Sequence, residues 1–304
     1  MEFGMFHEFP SLPGRTESEA FDEAMEQVDA AERWGLDVMW LAELHFEPRR
    51  SVLSAPLSIA SAIAARTRRM KIGIAVQVLP LCHPLRLAEE AATVDQLSHG
   101  RLIFGVGRSG VAQTYEAYGV SYGESRERFR EILDIVEQAW TKPSFSYSGK
   151  YHSFKEVSVV PKPYQKPTPP IRIAASTPDT LPAIGRRGAA IFASVRHTTW
   201  SDLTKQIQSY HDAWAEAGHP GRGQVFVSAP RPRNELAASP KRASRTFTVS
   251  RPTFWKGRRD WSMPRPLPDG CGASISYAAC ATRTACATTR WLARLTRLPN
   301  ASKS

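Results

Sequence analysis

The chain of 304 residues is long enough for one large domain or two smaller ones, and 42% of its residues are hydrophobic, which suffices for a substantial core. Its formal net charge of +11 would by itself suggest a nucleic-acid or membrane partner. Residues 1–229, however, hold 25 Lys+Arg and 26 Asp+Glu, a net charge of −1, whereas residues 230–304 hold 15 and 3, a net charge of +12. The excess positive charge therefore lies entirely in residues 230–304. The first 229 residues have no charge excess that would indicate nucleic-acid binding.

Targeting and metal motifs are not recognisable. The start, MEFGMF, is typical of a strand and carries no signal-peptide pattern, and no apolar run approaches the roughly 20 residues that cross a membrane. The cysteines are Cys82, Cys271, Cys280 and Cys286, and none of them form a C-x-x-C pair, so we expect neither a zinc site nor a redox motif. We expect a cytoplasmic protein that binds no metal and no membrane.

Residues 1–229 alternate short apolar runs with amphipathic helical segments, which predicts βα units and a parallel sheet. The first helix begins at a capping box formed by Thr16 and Glu19. The predicted strands, in chain order, are Glu2–Phe6, Asp37–Leu41, Lys71–Leu79, Arg101–Val106, Ile171–Ala175, Ala189–Ser194 and Gln224–Ser228.

Residues 145–170 form an insertion after the fourth βα unit, with a hairpin predicted around Ser148 and Gly149. Seven strands with this spacing indicate an α/β fold, a TIM-type (β/α)₈ barrel that is incomplete at its C-terminal end. An open barrel would leave Glu2–Phe6 and Gln224–Ser228 as unpaired edges, which favours aggregation.

From residue 230 to residue 304 the sequence is basic, irregular and rich in Arg, Pro, Ala and Thr, and no helix or strand period persists. We interpret this segment as translation of a GC-rich gene in a shifted reading frame. A natural basic tail that binds nucleic acid or a membrane is the alternative, and no chemistry is assigned to the segment.

Four segments carry a resemblance to a known family. They are MEFGMFHEF at the start, WLAELHF at Trp40–Phe46, IGIAVQVLPLCHPLRLAEEAATVDQLSHGRLIFGVGRS at Ile72–Ser109 and PIRIAASTPDT at Pro170–Thr180. Together they resemble the bacterial luciferase-like family of flavin-dependent monooxygenases over residues 1–229. The resemblance implies a barrel that binds reduced FMN, or a deazaflavin in one branch, at its C-terminal mouth.

The resemblance also implies a cofactor site. Ala75 and Val76 match the place where the family runs its backbone beneath the flavin ring, often with a cis peptide bond. Arg108, Arg126, Ser176 and Thr177 match the family's ligands to the flavin phosphate. Independently of the family, three of these residues follow predicted strands, where barrels bind ligands, and arginine and hydroxyl donors suit an anion.

One departure from the family lies after the second strand, where the family commonly has Glu-His-His and this chain has Glu43-Leu44-His45. The first histidine, which supports the oxygen chemistry of luciferases, is Leu44 here, so light emission from an aldehyde is not expected. His45 matches the second histidine and is our catalytic candidate. A packed histidine at a strand end is the alternative.

Structural explanations also exist for the other motifs. Gly105–Gly110 reads G-x-G-x-x-G, but three βα units precede it, so close backbone approach explains its glycines better than a Rossmann fingerprint does. Arg108 alone could be a surface ion-pairing residue, and Arg126 could lie on a solvated helix face. Ser176 and Thr177 could only cap a helix.

We therefore predict a flavin-dependent oxidoreductase of the monooxygenase type. Because the barrel lacks its eighth unit, we expect this chain to retain flavin weakly or not at all. Its partners would be a flavin reductase that delivers reduced FMN, O₂, a small organic substrate and a second copy in a homodimer. The alternatives are a deazaflavin-dependent hydride-transfer enzyme on the same barrel, an inactive truncated product and a nucleic-acid binder acting through its tail.

Overall fold

The computed structural model describes residues 2–175, 177, 179–195, 198–228 and 279–280. The predictions made for Ser176, and for the tail apart from residues 279–280, lie outside the described residues. In the part of the chain that is described, no helix has both the length and the apolar content needed to cross a bilayer.

The strands follow the predicted βα pattern closely. They are β1 (Gly4–His7), β2 (Val38–Leu41), β3 (Lys71–Ile74), β4 (Gln77–Val78), β5 (Leu102–Gly107), β6 (Phe145–Ser148), β7 (Ser153–Val157), β8 (Ile171–Ala174), β9 (Ala190–Ser194), β10 (Val225–Ser228) and β11 (Ala279–Cys280). The single strand predicted over Lys71–Leu79 is wrong in one respect, because it is divided into β3 and β4, and a 3₁₀ turn begins at Leu79.

Helices separate the strands along the chain. They are α1 (Glu17–Arg33), α2 (Pro56–Arg66), α3 (Pro84–Leu97), α4 (Ala112–Ala117), α5 (Ser125–Thr141), α6 (Thr180–Arg187) and α7 (Trp200–Glu216). The capping box of α1 is confirmed: the Glu19 N–H donates to Thr16 Oγ1 at 3.2 Å, and the Thr16 N–H donates to the Glu19 carboxylate at 2.7 Å. The apolar faces of the helices pack on the outer face of the sheet and form the main core.

The sheet is parallel in the order β1-β2-β3-β5-β8-β9-β10, and β4 also pairs with β5. This is the curled, nearly closed parallel sheet of a TIM-like α/β fold, as predicted. The expectation that the edge at Gln224–Ser228 is unpaired is wrong for two residues, since Phe226 and Val227 pair antiparallel with β11. Among the described residues, β1 pairs only with β2.

The curl of the sheet brings distant strands together across its interior. The Trp40 ring on β2 lies 5.3 Å from the Phe192 ring on β9 and 6.3 Å from the Phe226 ring on β10, measured between centroids. Gly73 on β3 is the register partner of Trp40, and a Cβ at that position would overlap the indole ring. The Trp40 ring can therefore occupy the interior because Gly73, its neighbour on β3, has no side chain.

The inserted segment contains the predicted hairpin, formed by β6 and β7 around Ser148 and Gly149. Its turn is attached to α5 through Glu131, whose buried carboxylate accepts hydrogen bonds from the backbone N–H groups of Lys150, Tyr151 and His152 at 2.6–3.2 Å. The hairpin thus packs beside the barrel wall and does not interrupt the parallel sheet.

Candidate functional site

The carboxyl ends of the parallel strands form one edge of the sheet, which we call the mouth. A ligand of an α/β barrel binds at this edge, since the connecting loops of all the strands meet there. His45 follows β2, Ala75 and Val76 lie between β3 and β4, Arg108 follows β5, and Thr177 follows β8. The sequence-predicted residues that are described, apart from Arg126 in a helix, therefore all lie at the mouth.

The segment between β3 and β4 is irregular. The peptide bond between Ala75 and Val76 is cis, and the Ala75 N–H donates to the Leu41 carbonyl at 2.7 Å. The pairing with β5 shifts by one residue across this segment, from Gly73 opposite Ile103 to Gln77 opposite Val106. The wall of the barrel bulges here, next to β5.

Gly105 on β5 makes room for this bulge. A Cβ at Gly105 would overlap the Ile74 carbonyl oxygen, which belongs to the backbone and has no rotamer by which to move away. The close approach of two backbones explains the glycine better than a nucleotide fingerprint does. Two positions further, Gly107 leaves space for the side chain of Val76.

Arg108 is held at the mouth by two contacts. Its Nη1 donates to Ser125 Oγ at 3.2 Å, and its backbone carbonyl accepts a hydrogen bond from the Tyr115 hydroxyl. Burial raises the pKa of Tyr115 to about 12, so the hydroxyl keeps the proton that it donates. The guanidinium is half-buried and lies at the first residue of α5.

The other predicted phosphate ligands are arranged differently. Thr177 lies before α6, and its hydroxyl is 2.6 Å from the Thr180 hydroxyl at the start of that helix. Arg126 is exposed in the first turn of α5 and, within the described ranges, forms no hydrogen bond with Arg108 or Thr177. β5 and β8 are neighbouring parallel strands, so the segments that carry Arg108 and Thr177 leave the sheet from adjacent strand ends.

His45 lies in a hydrogen-bonded cluster. Its Nε2 is 2.7 Å from Glu43 Oε1, and its Nδ1 is 3.2 Å from the Tyr118 hydroxyl. Glu43 Oε2 accepts further hydrogen bonds from the Val78 N–H at 2.8 Å and from Gln77 Nε2 at 2.6 Å. This cluster joins the ends of β2 and β4 to the segment that follows α4.

Sequence reasoning did not single out three members of this cluster. Glu43 was visible as part of the Glu-Leu-His run, and Gln77 as a polar residue in an apolar strand. Tyr118 has no local signal, because its contact with His45 joins residues 73 positions apart. Cys82 lies nearby, and burial raises the pKa of its thiol to about 12, which agrees with a small hydrophobic role rather than a nucleophilic one.

The curled, nearly closed parallel sheet with helices outside it places the protein in the class of TIM-like α/β-barrel proteins, whose ligands bind at the mouth. The model of the luciferase-like monooxygenase family matches residues 1–246. The chain belongs to this family, as the motifs had indicated.

Individual relatives give the same result. The chain is 26% identical over 216 residues to the oxygenase component of a flavin-dependent trigonelline monooxygenase from Acinetobacter baylyi, covering 70% of this chain and 59% of the relative. It is 34% identical over 165 residues to an F420-dependent glucose-6-phosphate dehydrogenase from Kineococcus radiotolerans, covering 52% and 48%. The chain thus spans about half to three fifths of the length of these curated relatives.

A solved structure shows the same fold. The crystal structure of a monooxygenase from Streptomyces bottropensis superposes with a TM-score of 0.70 at 27% identity, over 75% of this chain and 70% of that chain. The family and the barrel are therefore shown, and the relatives include both flavin-dependent and F420-dependent enzymes.

Proposed function

We propose that the protein is a flavin-dependent oxidoreductase of the monooxygenase type, which uses reduced FMN from a separate reductase, together with O₂, on a small organic substrate. The observation that carries the proposal is the order of groups along the mouth. Val76 fits against Gly107, Arg108 follows directly, and Thr177 leaves the neighbouring strand. A backbone surface for a ring and donors for a phosphate thus lie side by side.

The residues present fit a phosphorylated flavin. Arg108 offers a planar pair of donors for a phosphate, and Thr177 adds a hydroxyl next to the start of a helix. We assign Arg108, Arg126, Ser176 and Thr177 to the phosphate and Ala75 and Val76 to the ring. When bound, reduced flavin would supply the electrons that activate O₂, while the protein orients the ring and limits the access of water.

A direct binding measurement tests the proposal. The full chain is titrated under anaerobic conditions with reduced FMN and with reduced riboflavin, which lacks the phosphate. FMN should bind at least about tenfold more tightly, because hydrogen bonds to a charged group contribute about 1.5–3 kcal/mol each. The variant Arg108→Ala should remove most of this preference.

A matched variant controls for general effects of losing an arginine. Arg66 pairs with Asp29 at the outer helices, so Arg66→Ala should leave the preference for FMN unchanged. Equal affinity for FMN and riboflavin, or an unchanged preference in Arg108→Ala, would contradict the assignment. We expect weak absolute affinity, since within the described residues no strand pairing joins β1 to β10.

A deazaflavin-dependent hydride-transfer enzyme is the second candidate, and the similarity to the F420-dependent dehydrogenase supports it. The same titration carried out with coenzyme F420 separates the two candidates. Tighter binding of F420 than of FMN would favour the second one.

A further inference from the structure

A chain of three hydrogen-bonded side chains leads from a buried carboxylate to the surface of the mouth. The Glu43 side chain is 3% exposed and the His45 side chain 9%, and they are 2.7 Å apart between Oε1 and Nε2. The next member, Tyr118, is 46% exposed, and its hydroxyl is 3.2 Å from His45 Nδ1. Tyr118, the outermost of the three side chains, is therefore accessible to a molecule bound at the mouth.

The partners of Glu43 favour one direction for these hydrogen bonds. Its Oε2 accepts from the Val78 N–H and from Gln77 Nε2, so both bonds to that oxygen use Glu43 as an acceptor. When Oε1 accepts as well, His45 Nε2 is the nitrogen that carries a proton and donates it. In a neutral imidazole the other nitrogen is then an acceptor, so the Tyr118 hydroxyl donates to Nδ1.

We propose that Tyr118 is the proton acceptor of this site and that His45 and Glu43 act through it. As the Tyr118 oxygen takes the proton from a hydroxyl group of the substrate, the phenolic proton passes to His45 Nδ1. The O–H bond of the substrate breaks, a new O–H bond forms on Tyr118, and the imidazolium is stabilised by the Glu43 carboxylate. The reverse transfers return the proton.

This proposal rests on the proposed function and narrows its substrate class to small organic molecules that carry a hydroxyl group. The arrangement is that of a nucleophile or proton acceptor, a base and a group that orients the base. Glu43 is a positioning residue in it, since it reaches the substrate only through the other two.

The packing around Tyr118 supports the proposal. The Phe46 ring lies 5.6 Å from the Tyr118 ring and 5.9 Å from the His45 ring, measured between centroids. Phe46 adopts a φ of 58°, which is rare for a bulky residue and is maintained only where the surroundings enforce it. Its exposed ring also offers an apolar surface to an organic molecule beside the hydroxyl.

The charged and titratable groups near Tyr118 favour the protonated form of its hydroxyl. Burial, followed by the Glu43 charge and by Cys82, raises the pKa of Tyr118 above its ordinary value. The hydroxyl therefore keeps its proton at neutral pH unless His45 accepts it. The Cys82 thiol stays neutral, because burial raises its pKa to about 12.

The nucleophilicity of Tyr118 tests the relay without any flavin or substrate. The full chain is treated at neutral pH with N-acetylimidazole, which acetylates phenolic oxygens, and the modified sites are followed by mass spectrometry. Tyr122, 42% exposed and also at the mouth, is the internal reference. Tyr118 should react at least about tenfold faster than Tyr122, because His45 removes its proton as the new bond forms.

Two variants separate a relay from simple packing. His45→Gln should reduce the rate at Tyr118 to that at Tyr122, and Glu43→Gln, which keeps the size of the side chain, should reduce it in part. If His45→Gln fails to fold, as judged by near-UV circular dichroism, Glu43→Gln carries the comparison. Equal rates at the two tyrosines, or a rate at Tyr118 that neither variant changes, would overturn the proposal. Because no flavin is present, this result is independent of the FMN titration.

Discussion

At the scale of single residues, the mouth depends on side chains that are absent as much as on those that are present. Gly105 and Gly73 lie on neighbouring strands. A Cβ added at Gly105 would overlap a backbone carbonyl, and a Cβ added at Gly73 would overlap an indole ring. Both glycines are needed because the neighbouring group is large or immobile. The motif predicted close backbone approach at Gly105, whereas nothing in the local sequence indicates the indole ring beside Gly73.

The substitution Gly105→Ala tests this requirement. We expect it to destabilise the fold by about 3 kcal/mol, near the upper end of the cost of overpacking, because the Ile74 carbonyl belongs to the backbone. Urea denaturation measures the loss. Gly110→Ala is the control, since a Cβ there meets no atom within 4 Å, and equal midpoints for the two variants would refute the explanation.

A second prediction at the residue scale concerns pH. Burial and the nearby Arg222 lower the pKa of His211 to about 4, while an unfolded histidine titrates near 6.5. Between these values the unfolded chain binds a proton that the folded chain does not, so stability is lost as the pH falls from 6.5 towards 4. Burial lowers the pKa of His7 and of His152 as well, and these groups act in the same direction.

The measurement is the melting temperature at pH 7 and at pH 5 for the natural sequence and for His211→Gln. The variant should lose part of the decrease in melting temperature, because one of the titrating groups has been removed. Identical decreases in the two proteins would show that His211 does not contribute.

At the scale of elements, local sequence signals predicted the strands and helices well, whereas the attachment of one element to another came from single side chains. The β6–β7 hairpin is the clearest case. Its turn is held to α5 by the buried Glu131 carboxylate, which accepts hydrogen bonds from three backbone N–H groups. The exposed Glu127 adds hydrogen bonds to the side chains of Lys150 and Tyr151. A two-stranded hairpin is marginally stable alone, so its order depends on these contacts, and the backbone ones are the buried part.

We therefore predict that Glu131→Ala loosens the hairpin. Amide hydrogen exchange at Lys150, Tyr151 and His152 should accelerate, and the free energy of unfolding should fall by about 2–3 kcal/mol, because buried N–H groups lose their acceptor. Glu127→Ala is the control, since Glu127 is exposed and contacts the same turn only through the side chains of Lys150 and Tyr151, so it should leave the three backbone amides much less affected. Unchanged exchange at the three amides in Glu131→Ala would contradict the prediction.

At the scale of the whole molecule, the two parts of the sequence differ in charge. Residues 1–229 carry a net charge of −1, and the complete chain carries +11. Binding to polyanions should therefore depend on residues 230–304 and weaken steeply with salt.

Comparison of the complete chain with a chain ending at residue 229 tests this dependence on a heparin column. The complete chain should be retained at low salt and released as salt is added, and the shortened chain should pass through. Retention of the shortened chain would place the anion-binding surface on the barrel instead.

The sequence by itself determined the family, the order of the βα units and the residues that follow each strand, because these depend on local periodicity and on motifs within one segment. It also placed Arg108 and Thr177 at the mouth, since parallel strands all end at the same edge. Only the tertiary structure decided which of those residues meet. The division of β3 from β4 opposite Gly105 and the contact of His45 with Tyr118 depend on strand register and on loop positions, which no single segment encodes.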